Sequence, residues 1–140
     1  MDVEMLVREA QAARKRAYAP YSGFYVGAAL LADNGKIYSG CNIENASYGA
    51  TICAERTAIA KAVSDGVRRI AAMAIAGDGT GEITPCGICR QVIAEFADGD
   101  MPVFCGSQDG IFIRHTLREL LPFAFTPADL AGASGPQQNG

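Results

Sequence analysis

The stretch FYVGAALLADNGKIYSGCNI, beginning at Phe24, constrains this chain more than any other. Two apolar runs flank Asp33-Asn34-Gly35, and Asn-Gly between such runs is the strongest short-range signal for a tight antiparallel turn. The pattern predicts a strand over 24–32, a turn at 33–35 and a returning strand over 36–43. A second apolar run, RIAAMAIAG (69–77), is almost continuous, which fits a strand buried on both faces. Shorter strands are expected at 101–106 and 110–116, around the turn residues SQDG.

Helices are expected between these strands. Val3, Leu6, Val7, Ala10, Ala13 and Ala17 recur at helical spacing over 2–17, until Pro20 and Gly23 break the pattern. A polar loop, ENASYGAT, leads into a helix over 53–64 that ends at Asp65-Gly66. CGICRQVIAEFA opens a third helix, with Val92, Ile93 and Phe96 facing the core. TLRELLP makes a short fourth. Strands alternating with helices argue for an α/β fold. With the hairpin included, the expectation is a three-layer α-β-α sandwich on a mixed five-stranded sheet. Residues 1–130 read as one domain. Residues 131–140, rich in Gly, Pro and Gln, read as a disordered tail.

The 140 residues include 49% hydrophobic and 19% charged side chains, an ordinary globular balance, with a formal net charge of −3. Nucleic-acid binders usually carry a basic patch and a basic domain, so no nucleic-acid partner is expected. The N-terminal segment is charged throughout, so no signal peptide is expected. No apolar run approaches the ~20 residues of a membrane span. The expected location is the cytoplasm, where the five cysteines stay reduced.

Three of those cysteines carry the chemistry. Cys86 and Cys89 form a C-x-x-C pair behind Pro85, at the expected start of a helix. Cys53 stands at the start of another. Helix N-termini carry partial positive charge and free N–H groups, which favour thiolate over thiol. Two such ends facing each other would gather three thiolates. Three protein ligands on zinc leave the fourth tetrahedral position open, as in catalytic sites. A redox pair and a structural knuckle are the competing readings. The knuckle lacks a fourth ligand at the right spacing: Cys41 and Cys105 read as small buried hydrophobes in strands, and His115 as a surface or capping residue. Glu55, two residues after Cys53, would lie beside the metal without binding it; alone, it would be an acid complementing the helix dipole. Together the residues read C-x-E…P-C-x-x-C, a three-cysteine version of the zinc deaminase signature.

The chain resembles the small homotetrameric cytidine deaminase family. The resemblance runs through YAPYSGFYVGAALL, GCNIENASYG, CAERTAIAKAV, PCGICRQV and LRELLPFAF. It implies hydrolytic deamination of cytidine and deoxycytidine to uridine and deoxyuridine, with release of ammonia, in pyrimidine salvage. One zinc per subunit on Cys53, Cys86 and Cys89 would bring a bound water toward a pKa of ~7, and the hydroxide would attack C4. Glu55 would act as base and then acid. The resemblance makes Arg56 a donor to the thiolate sulfurs. It makes Asn42 and Glu44 the partners of the ribose 3′-hydroxyl, Phe24 the aromatic on the pyrimidine, and Ala54 a backbone contact to the base. Tyr48 and Phe125 would reach a neighbouring subunit's site. Rival readings are a different deaminase of the same fold, acting on an antibiotic, a nucleotide or RNA, and a zinc-stapled binding domain. Acidic Glu44 would repel a phosphate, and Cys53 stands where the nucleotide and RNA enzymes more often have histidine.

Overall fold

The computed structural model describes residues 1–134. The hairpin forms where its turn residues place it. β1 (Val26–Ala32) pairs antiparallel with β2 (Ile37–Cys41), Leu31 opposite Ile37, and Gly35 takes φ +85°. Only glycine adopts that conformation freely. β3 (Ile70–Gly77) runs antiparallel to the other edge of β1, then parallel to β4 (Pro102–Ser107), which pairs antiparallel with β5 (Phe112–Thr116). The sheet is therefore mixed, with five strands in the order β2-β1-β3-β4-β5.

The helices are α1 (Val3–Arg14), α2 (Ala54–Ser64), α3 (Gly87–Phe96), α4 (Leu117–Leu120) and α5 (Pro127–Ser134), with one 3-10 turn at Tyr48–Ala50. α1 covers one face of the sheet. Its Leu6 and Ala10 pack on Ala29, Ala72, Ala74, Ala76 and Phe104. α2, α3 and α4 share the other face, packing around Leu30, Met73, Ile75, Val103 and Cys105. This is the expected three-layer sandwich. β3 is small on one side and large on the other, because alternate residues point to opposite faces. The small side lets α1 sit close. A Cβ on Gly27 would stand 2.1 Å from the Ala10 carbonyl oxygen and 2.3 Å from the Arg14 nitrogen.

Three expectations need correction. The first strand starts at Val26, not Phe24, because the Asn42 amide takes the strand partners: Val26 N–H donates to Asn42 Oδ1 at 2.9 Å, and Asn42 Nδ2 donates to the Phe24 carbonyl at 2.9 Å. The first helix stops at Arg14 rather than 17, since Tyr18 is drawn into backbone bonds with Asn42 and Glu44. The segment expected as a tail begins inside a helix: 131–134 are the last turn of α5. That helix starts with a capping signal, Thr126-Pro127-Ala128-Asp129, in which Asp129 Oδ2 accepts from Thr126 N at 2.7 Å and proline occupies the first helical position. The remainder of the expected tail, 135–140, lies outside the described residues.

Asp78, directly after β3, ties two layers together. Its carboxylate accepts from Arg14 Nη1 at 2.6 Å and from Tyr25 N at 2.7 Å. Bonds to a charged group contribute about 1.5–3 kcal/mol when partly shielded. Asp78→Ala should lower stability by about that much, read from the urea midpoint. An unmoved midpoint would show that water replaces both bonds without loss.

Candidate active site

Cys53 is the N-cap of α2 and Cys86 the N-cap of α3; neither side chain makes a capping hydrogen bond. Cys89 lies in the first turn of α3 and is fully buried. The two helix ends face each other. Cys53 Sγ and Cys86 Sγ stand 3.9 Å apart, and all three sulfurs lie within 4.8 Å of one another. Sulfurs bound to one tetrahedral zinc at ~2.3 Å are about 3.8 Å apart, so the trio fits that ion with little movement. Among the described residues no fourth His, Cys, Asp or Glu joins the cluster.

Close packing brings the α2 end into place. A Cβ on Gly40 would stand 2.6 Å from Ala58 N and 2.9 Å from the Ala54 carbonyl oxygen, so glycine there lets α2 lie against β2. The loop before α2 is pinched at its base, where Ile43 and Ile52 exchange two backbone bonds of 3.0 Å. This holds Asn42 and Glu44 beside Cys53. At the other helix, Arg90 fastens the approach to Cys86, donating to the Pro85 carbonyl at 2.7 Å, to the Leu120 carbonyl at 2.6 Å and to Thr84 Oγ1 at 3.0 Å.

A cleft of about 340 Å³ opens over the cysteines, lined by Phe24, Asn42, Glu44, Cys53, Ala54, Glu55 and Cys86 among others. Glu55 is 4% exposed. Burial pushes its carboxyl up to about 7; the Cys53 charge adds to this, and Arg56 opposes it. Arg56 Nη2 lies 3.7 Å from Cys53 Sγ. The Cys53 thiol is drawn down, first by the hydrogen bond from Cys89 and then by Arg56, while Cys89 is pushed up as the donor to Cys53 and by burial. A thiol drawn toward its anion at a helix N-terminus and beside a guanidinium is ready to take a metal. At the far end, the Glu44 carboxylate accepts from Ser22 Oγ and, at 3.0 and 2.9 Å, from the Ser22 and Tyr21 backbone. The Ser22 hydroxyl above all holds its pKa down.

The structure does not bring every candidate into this cleft. Tyr48 lines a neighbouring hollow with Tyr21, Ser22 and Glu44, its ring centroid 5.9 Å from that of Tyr21. Phe125 is exposed between α4 and α5, where its carbonyl accepts from Gln91 Nε2 at 2.8 Å, and it does not line the cleft. The sequence reading overlooked Ser22, Thr84 and Arg90. Arg90 follows the C-x-x-C pair directly, as Arg56 follows Glu55, and that parallel was a usable signal. His115 is not a cap: Thr116 caps α4, while His115 Nε2 meets Glu82 Oε2.

Residues 1–105 match the family described as the cytidine and deoxycytidylate deaminase zinc-binding region. The chain belongs to this family. The cytidine deaminase of Sporosarcina psychrophila is 56% identical over 134 residues, covering 96% of this chain and 98% of that protein. The crystal structure of the Burkholderia pseudomallei cytidine deaminase superposes with a TM-score of 0.85 at 46% identity, covering 89% of this chain and all of that one. The Mycobacterium tuberculosis enzyme superposes at 0.75 with 38% identity, over 89% of this chain and 98% of that one. These deaminases share the mixed sheet and its helices, and the family's zinc-binding region includes all three clustered cysteines.

Proposed function

We propose that this deaminase-family protein hydrolyses cytidine and deoxycytidine to uridine and deoxyuridine with release of ammonia, in pyrimidine salvage. The observation that carries the reading is one cleft holding the three-cysteine cluster, a buried carboxylate beside it, and a polar end at Asn42 and Glu44. Cys53, Cys86 and Cys89 would hold one zinc per subunit. When bound, zinc supplies the Lewis acidity that makes a nucleophile available from water at neutral pH.

The chain's own residues do the rest. Glu55 takes a proton from the attacking water and passes it to N3 of the ring; it then takes the second water proton, from the hydroxyl now on C4, and gives it to the leaving amine as the carbonyl forms. Its low exposure and raised pKa suit a group that both accepts and donates near neutrality. Arg56 offsets the charge of the thiolates. Asn42 and Glu44 hold the ribose 3′-hydroxyl; Glu44 is kept anionic and acceptor-ready by Ser22. Phe24 packs on the pyrimidine, and the Ala54 backbone meets its polar edge. Residues 1–130 serve as a single deaminase domain. A cytoplasmic location suits five free cysteines, and no described helix is long and apolar enough to cross a membrane.

The test is direct. Ultraviolet absorbance follows cytidine in parallel with cytosine and cytidine monophosphate. Turnover of cytidine with matching ammonia is expected, and turnover of neither control. A preference for the monophosphate would overturn the nucleoside reading, because Glu44 would then face a phosphate. Arg56→Ala should weaken zinc affinity or activity by about 10–100-fold, the usual effect of losing a ligand's hydrogen-bond partner. Normal values for both would remove Arg56 from the site.

Tyr48 is 76% and Phe125 59% exposed, large apolar surfaces for a chain alone in water. We infer that each reaches a neighbouring subunit's cleft in a homotetramer with two-fold axes. Sedimentation and activity measured together on dilution should show activity falling as the assembly dissociates. A fully active monomer would end this inference.

A further inference from the structure

Between the β3–α3 loop and the outer strand β5, three side chains of different chemistry converge. Glu82, Cys105 and His115 bring a carboxylate oxygen, a sulfur and an imidazole nitrogen within 4.8 Å of one another. Cys105 on β4 stands opposite Ile113 on β5, and His115 lies two pairs further along, opposite Val103. Residues two apart on a strand share a face, so the imidazole and the thiol point to the same side. Cys105 is fully buried and forms the floor. The side chains of Glu82 and His115 are about a quarter exposed and form the walls.

A Glu–His pair alone is a common surface contact. The thiol beneath it makes this one different. Burial pushes Cys105 up to about 12, and the Glu82 charge adds to that. A carboxylate, a thiol and an imidazole converging on one point are a donor set that a borderline-soft divalent cation takes, the thiol giving up its proton as the ion binds. Ligand atoms on a tetrahedral zinc at ~2.0–2.3 Å are about 3.3–3.8 Å apart. Glu82 and His115 meet each other directly, so a bound ion would part them, and both side chains are exposed enough to turn.

We propose that Glu82, Cys105 and His115 form a second divalent-metal site, separate from the three-cysteine cluster and sharing no ligand with it. The mixed sulfur, nitrogen and oxygen set selects a zinc-class ion over magnesium or calcium. The fourth position faces solvent, so the ion exchanges more readily than one held by three thiolates. Its location gives it a role. Glu82 belongs to the loop that leads from β3 to Cys86, and Ile83 and Thr84 of that loop line the cleft. A cation joining Glu82 to Cys105 and His115 clamps this loop to β4 and β5. Cys105 itself pairs with Ile75, which lies on the cleft wall. The site does not depend on which substrate the cleft takes.

Equilibrium dialysis of the zinc-loaded protein against buffered free zinc, with metal counted by mass spectrometry, tests the proposal. The wild-type chain should take up one further equivalent beyond its tightly held zinc, and excess magnesium should not displace it. His115→Gln and Glu82→Gln, both at part-exposed positions, should lose that equivalent and keep the first. With cobalt as probe, the added equivalent should show a thiolate-to-metal absorption band that vanishes in Cys105→Ala. The difference between wild type and His115→Gln reads this site whatever the cysteine cluster holds. Uptake that stops at the first equivalent would overturn the proposal. So would a second equivalent that survives in His115→Gln, or one that magnesium displaces.

Discussion

Glu55→Gln is expected to keep its zinc and its fold while kcat falls by more than about 10⁴-fold. A single positioned acid or base typically contributes about 10²–10⁴-fold. Here one carboxylate serves successive proton transfers, and glutamine, which has the same shape, can make none of them. The fold should not suffer. Burying a carboxylate carries a desolvation cost that a neutral amide largely escapes, so the variant should melt no lower than the parent. This pairing of outcomes separates catalysis from structure. Metal analysis and circular dichroism should match the wild type while the cytidine assay collapses. Near-normal turnover would remove Glu55 from the chemistry, and lost zinc would make it a ligand instead.

Gly27→Ala should be the most damaging single methyl in the described structure. The added carbon would meet three backbone atoms of α1, at 2.1, 2.3 and 2.8 Å. Backbone cannot rotate away as a side chain can, so the whole helix must lift from the sheet. Ordinary overpacking costs about 1–3 kcal/mol, and this substitution should exceed that range. Lifting α1 would also pull Arg14 from Asp78, and with it the Tyr25 anchor next to Phe24. The expected outcome is a chain recovered mostly unfolded, or one whose urea midpoint drops far below that of Gly35→Ala. The Gly35 substitution is also strained, by its positive φ, but it has nothing within 4 Å of the added carbon. Equal midpoints for the two variants would refute the close-approach argument.

The layers and the metal cluster were legible in the sequence because each rests on a local signal. Asn34-Gly35 fixes the hairpin, an unbroken apolar run marks β3, and cysteines at two helix starts mark where the ends meet. What escaped the reading is set by groups distant in the chain. Phe24, which the family resemblance assigns to the pyrimidine, is by local pattern alone one more apolar strand residue. Only the Asn42 side chain, 18 positions later, takes the bonds that end the ladder and leave the ring at the cleft. Arg90 earns its place through carbonyls at Pro85 and Leu120, and the second of these is invisible to any local pattern. The missed α5 is a different kind of error. Its Thr126-Pro127 start was present, but the Gly- and Pro-rich composition that follows outweighed it. Tyr48 and Phe125 look idle within one chain, and no fold argument confined to one chain can give them work.

The alanine floor beneath α1 has a consequence for how this protein can change. On the α2 and α3 side, Leu30, Met73, Ile75 and Ile93 are large, and large apolar side chains can exchange with one another for less than about 1.5 kcal/mol when total volume is kept. On the α1 side, Ala29, Ala72, Ala74 and Ala76 hold almost no volume to exchange. Every substitution there but glycine is an enlargement, and among the buried neighbours only Leu6 and Phe104 have volume to give up. The two halves of the core therefore occupy sequence space very differently, one broad and one nearly a point. In a library randomised at both faces, survivors should carry many combinations on the α2 side and the parental alanines on the other. Breeding toward higher stability or altered specificity has room to move on only one side of the sheet.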